Sequence, residues 1–233
     1  AFIISMMLTP IYTYFAYKYK FWKKKRTTST TGEKLTVMNK LHAEKFKRNI
    51  PASAGIIFVT SITAITLAFN LNRGQTWLPL AALIGGAFVG LIDDIINVKG
   101  DGSGVAGLRA SIKFTMIAAI GFVLVWFFFA KLGFTSVHIP FIGDWNLGWA
   151  IIPVFAFVVV ATSNSVNISD GLDGLAGGLL AISFGAFGVI ALFQNQMTLA
   201  GFCFTVVGAL LSYLWFNIFF VCFYMIDIHS FSV

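Results

Sequence analysis

Residues 77–96 read WLPLAALIGGAFVGLIDDII, and this stretch decides the fold. No charged side chain interrupts it until Asp93 and Asp94 close it. A hydrocarbon core of about 30 Å needs roughly 20 consecutive apolar residues in a helix. The run is continuous rather than alternating, which excludes a transmembrane β-barrel strand. The rest of the chain has the same character. Its 233 residues are 58% apolar and only 11% charged, against about 25% charged in a soluble domain. Mean hydropathy is +0.86, and the 26 Phe residues suit lipid-facing helix surfaces. An ordinary soluble enzyme, a disordered tail and a disulfide-stapled module are all excluded. The expected fold is all-α: one integral membrane domain over residues 1–233, a polytopic transmembrane bundle of about seven spans. These are placed at 1–17, 51–69, 77–96, 112–130, 148–163, 174–193 and 198–217. The chain opens on Ala1 inside an apolar run, without a signal sequence, so it is expected to be part of a longer protein.

The formal charge of +7 is not a nucleic-acid signal once it is mapped. Eleven of the 16 Lys and Arg residues lie between Lys18 and Arg48. Adding Lys99, Arg109 and Lys113 puts 14 on one side of the membrane, leaving Arg73 and Lys131 on the other. The positive-inside rule then makes 18–50, 93–111, 164–173 and 218–233 cytoplasmic, with 70–76 and 131–147 outside. Asp93, Asp94, Asp101, Asp170, Asp173 and Asp227 all fall on the cytoplasmic side, where charge is far cheaper than at mid-bilayer. Cys203 and Cys222 form no metal set and read as packing residues. Gly86 and Gly90 form a GxxxG that suits close helix packing.

Two constellations carry chemistry. Asp93 and Asp94 are followed by a Gly-rich loop, Gly100 to Gly107, then by Arg109 and Lys113. Paired carboxylates suit Mg²⁺, which takes oxygen ligands and shares them with substrate phosphates; nearby cations and flexible backbone suit the phosphates themselves. A solvated helix end or an ion pair with Lys99 is the structural alternative. The second constellation is NSVNISDGLDGLAGG, Asn164 to Gly178. Asp170 and Asp173 are three apart and would share a helix face, as would Asn164 and Asn167. A polar turn with Asn and Asp caps explains one or two such residues, but not four at matched spacing.

This second segment resembles the NAVNLTDGLDGLA motif of the phospho-N-acetylmuramoyl-pentapeptide transferases, within the polyprenyl-phosphate N-acetylhexosamine-1-phosphate transferase superfamily. The resemblance extends along the chain in separated motifs. Asp93 and Asp94 fall at the family's DD pair, and Gly107, Leu108 and Lys113 resemble its GLxxxxK segment. His42, Lys45, Pro51 and Gly55 resemble its H-x-x-K…TPTMGG segment, although this chain reads Ile50-Pro51-Ala52-Ser53-Ala54-Gly55 there. Phe216-Asn217 and Met225-x-Asp227 fall where the family reads FN and then PAxVFMGDTGS. The Asp survives, while the Pro and the flanking Gly residues do not.

The resemblance implies phosphoryl transfer at the cytoplasmic face of a bacterial inner membrane, in peptidoglycan precursor synthesis. Undecaprenyl phosphate would attack UDP-MurNAc-pentapeptide, releasing UMP. Mg²⁺ is the implied cofactor, with Asp227 as main ligand and Asp94 close to the metal. Asp93 would deprotonate or orient the acceptor phosphate. Lys113 would pair with phosphate, and Asn164, Asn167, Asp170, Asp173 and Lys45 would hold substrate. Membrane lipid is the surrounding partner, nucleic acid is not one, and a homodimer is compatible with the family. The alternatives are a sister enzyme using UDP-GlcNAc, an ion-coupled transporter and an inactive membrane scaffold. A transporter would hold its carboxylates nearer mid-membrane, and a scaffold has no need of six cytoplasmic ones.

Overall fold

The computed structural model describes residues 1–22, 51, 53–72, 74–99, 108–133, 135–139, 141–169 and 174–219. Among them are seven α-helices: α1 (Phe2–Lys18), α2 (Gly55–Phe69), α3 (Trp77–Lys99), α4 (Ala110–Leu132), α5 (Ile151–Ser169), α6 (Leu175–Phe193) and α7 (Met197–Phe219). A small antiparallel hairpin, β1 (Ser136–Ile139) with β2 (Gly143–Asn146), stands between α4 and α5. The architecture is an all-α polytopic membrane bundle.

Five of the helices, α3 to α7, are long and apolar enough to cross a bilayer, fewer than the seven expected spans. The two shorter helices are α1, with 17 residues, and α2, with 15. At 1.5 Å per residue they reach about 25 Å and 22 Å. The shortness of α2 has a local cause: Ser53 adopts φ 61°, which no right-handed helix can contain. At the other boundary error, α5 runs through Asn164 and Asn167 to Ser169, where a loop was expected. The helix tolerates Asn164 and Ser169 because their side chains bond to its own carbonyls. Asn164 Nδ2 donates to Val160 O at 2.9 Å and Ser169 Oγ to Ser165 O at 2.9 Å. The same device serves Thr9, Ser61, Thr162, Ser183 and Thr205, each donating to the carbonyl four residues back. In lipid, a hydroxyl has few other acceptors.

Helices consecutive in the chain alternate in direction. Val89 of α3 packs with Ile117 of α4 and Val160 of α5, and Gly85 abuts Ile120, so α3 and α4 are antiparallel. The main core joins α2, α3, α6 and α7 through Phe58, Ile62, Leu80, Leu83, Leu180 and Leu210. At Gly188 an added Cβ would stand 3.0 Å from the Phe204 ring, so α6 and α7 approach closely there and a larger residue would press on that ring. Large apolar side chains such as Phe122, Ile182 and Phe187 remain exposed on the helix exteriors, as lipid-facing surfaces require.

At the end of the bundle away from Asp93 and Asp94, Asn70 Nδ2 donates to Thr198 O at 2.8 Å, and Thr198 Oγ1 bonds Gln75 Oε1. These contacts clasp the α2–α3 connection onto the start of α7. At the opposite end a bridge pairs Trp22 with Pro51. Trp22 and Pro51 therefore stand side by side, near the start of α2.

Candidate active site

Asp93 and Asp94 lie within α3, which continues past them to Lys99. Adjacent helical residues point about 100° apart, so the two carboxylates address different neighbours. Both are buried, at 4% and 0% exposure, where an ionised group needs close polar partners.

Asp93 faces α4. The Leu108 backbone N–H donates to Asp93 Oδ1 at 2.6 Å, and Lys113 Nζ donates to Oδ2 at 3.2 Å. The arrangement follows from helix electrostatics. Lys113 sits in the first turn of α4, where the macrodipole disfavours a cation. A carboxylate at the same place offsets that cost, and here it also accepts from the Leu108 amide, two residues before the helix begins. Asp93 thus answers both the lysine and the backbone leading into α4.

Asp94 faces the turn before α2. Ser53 Oγ donates to Asp94 Oδ2 at 2.7 Å, and Tyr12 of α1 lies within electrostatic range of Asp94. Ser53 is buried and is held in the left-handed region at φ 61°. That conformation costs a non-glycine residue about 1 kcal/mol, so the surrounding contacts must hold it there. Asn97, one turn beyond the carboxylates, is buried too, as is Asn217 near the end of α7.

The helices therefore gather Asp93, Asp94 and Lys113 at one end of the bundle. The described contacts do not bring Asn164 or Asn167 to the carboxylates; Asn164 is engaged with its own helix. Lys45, Asp170, Asp173 and Asp227 lie outside the described residues. Among the described residues no group of three or more His, Cys, Asp or Glu could hold a metal. The chemistry of Asp94 nevertheless fits a hard cation: it is an oxygen donor beside a hydroxyl oxygen, the ligand type Mg²⁺ takes. Asp93, engaged by an ammonium and an amide, suits a charge-balancing role instead. Sequence reasoning missed Ser53, Asn97 and Tyr12. Ser53 carried one signal, its place in the segment that departs from TPTMGG.

A family model described as glycosyl transferase family 4 matches residues 76–232. A phospho-N-acetylmuramoyl-pentapeptide-transferase from Chloroflexus aggregans is 34% identical over 241 residues, covering 100% of this chain and 63% of the relative. Its counterpart from Chloroflexus aurantiacus is 34% identical, covering 93% of this chain and 58% of the relative. The one from Listeria monocytogenes serovar 1/2a is 36% identical, covering 93% and 64%. The chain thus spans about three fifths of the length of these curated relatives.

Proposed function

This chain belongs to glycosyl transferase family 4, and on that premise we propose that its protein transfers phospho-MurNAc-pentapeptide from UDP-MurNAc-pentapeptide to undecaprenyl phosphate. The relatives' names support the reaction. The observation that carries it to named atoms is the ion pair of buried Asp93 with half-buried Lys113, beside Asp94 at the mouth of an apolar bundle. An acceptor confined to lipid and a nucleotide confined to water can meet only at such a boundary. The charge asymmetry of the loops supports a cytoplasmic placement.

In the step itself, an oxygen of the lipid phosphate attacks the sugar-linked β-phosphorus. The bond from that phosphorus to the bridging oxygen breaks, and UMP leaves with the electron pair. Lys113 is close enough to the carboxylates to neutralise a phosphate entering beside Asp93. Asp93 positions that lysine and orients the acceptor. Ser53 fixes one oxygen of Asp94, directing the other toward the reacting groups. Asp94 and Asp227 would hold Mg²⁺, which when bound supplies charge neutralisation for the diphosphate and the leaving group. Asp170, Asp173, Asn164, Asn167 and Lys45 complete the proposed substrate contacts.

The test is UMP release in membranes containing undecaprenyl phosphate. Release is expected from UDP-MurNAc-pentapeptide and to be lost in excess chelator, with restoration by Mg²⁺. Release from UDP-GlcNAc alone would replace this reading with the sister reaction, and full activity in chelator would remove the metal from it.

A further inference from the structure

The β1–β2 hairpin stands at the end of α4 opposite Lys113, about 29 Å away along the helix from Lys113 to Leu132. That distance matches the thickness of a hydrocarbon core, so the hairpin starts at the far membrane surface. Its two faces differ. Directly opposed residues of an antiparallel pair share a face. Val137 pairs with Trp145, and Ile139 with Gly143; Val137 also packs against the Val125, Ile151 and Ile152 cluster of α4 and α5. This is therefore the bundle-facing side. The other side carries Ser136, His138, Asp144 and Asn146, with His138 Nδ1 and Asp144 Oδ1 2.7 Å apart.

On the bundle-facing side the protein runs out before the apolar surface does. Trp145 is 61% exposed although it shares a face with Val137, and the tip residues Phe141 and Ile142 are 108% and 77% exposed. At the hairpin's root, Trp149 packs against Trp126 and Phe129, with ring centroids 6.2 and 4.7 Å away. Clustered Trp at a helix end marks the headgroup level of a bilayer. The hairpin carries one basic-capable side chain, His138, and one acid, Asp144, and both lie on the opposite face.

We propose that the hairpin is an interfacial anchor: it lies on the leaflet opposite the carboxylates, with Phe141, Ile142 and Trp145 in phospholipid and the His138–Asp144 face in water. The occupant of the uncovered face is lipid, because that face continues the aromatic belt of α4 and α5 and carries no charge for a polar partner to read.

Single-cysteine nitroxide labelling tests this in the full chain carrying Cys203→Ala and Cys222→Ala. The chain is reconstituted in phosphatidylethanolamine–phosphatidylglycerol vesicles. Labels at Phe141→Cys and Ile142→Cys should collide several-fold more with oxygen than with a water-soluble nickel chelate. Labels at His138→Cys and Asn146→Cys should show the reverse. Nickel-favoured collisions at 141 and 142 would overturn the proposal by placing the tip in water. Shielding of both sites from both reagents would overturn it in favour of a protein partner or a second copy.

Discussion

At the residue scale the site depends on two carboxylates treated differently by one helix turn. Asp93 is matched to a cation and a backbone amide just before α4, and Asp94 to a hydroxyl. The Asp-Asp pair and Lys113 were legible in the sequence because their spacing spans a short connection between two strongly apolar runs. Ser53 was not. Its contact with Asp94 joins residues 41 apart, and its left-handed backbone is a conformation the residue type does not announce. Two substitutions separate its roles. Ser53→Ala removes the hydroxyl and keeps the Cβ strain, whereas Ser53→Gly removes both. UMP release should fall about tenfold in each, the equivalent of one lost hydrogen bond. Thermal unfolding in detergent should find the Gly variant more stable than the Ala variant by about 1 kcal/mol. Equal stabilities would mean that the backbone at residue 53 is unstrained.

At the element scale, helix positions could be read from apolar run length, but helix ends could not. The stretch 164–169 looked like loop because Asn and Ser are poor interior residues; the structure keeps it helical by turning Asn164 and Ser169 onto their own carbonyls. The hairpin was also invisible, since four-residue strands carry little periodicity and this one borrows its stability from Val125, Ile151 and Ile152. Helix packing rests on small residues rather than on hydrophobic drive, which is weak between helices in lipid. Gly188 against Phe204 is the clearest case. Gly188→Leu should lower stability in detergent by about 2 kcal/mol through overpacking. Adding Phe204→Ala should recover most of that loss, because it opens the space the new side chain needs. A double variant no more stable than Gly188→Leu alone would show that the contact does not limit the approach of α6 to α7.

Across the whole molecule, the up-and-down path brings residues from α1, α3, α4 and the turn before α2 to one end of the bundle. Charge counting assigned that end to the cytoplasm. The assignment predicts that Thr30→Cys resists an impermeant external reagent in intact cells while Asp144→Cys reacts, both in a chain lacking Cys203 and Cys222. Labelling at residue 30 from outside would invert the topology. The central claim is that the buried pair at the end of α3 performs phosphoryl transfer rather than merely pairing with Lys113 and bonding Ser53. Asp→Asn keeps the shape of the side chain and removes its charge. The direct measurement is exchange of labelled UMP into UDP-MurNAc-pentapeptide with undecaprenyl phosphate present, comparing Asp93→Asn, Asp94→Asn and the distant Asp144→Asn at matched amounts of folded protein. The account predicts losses on the order of 10³-fold for Asp94→Asn and of similar size for Asp93→Asn, with exchange near the unsubstituted rate for Asp144→Asn. Unaltered exchange in the Asp93 and Asp94 variants would contradict it.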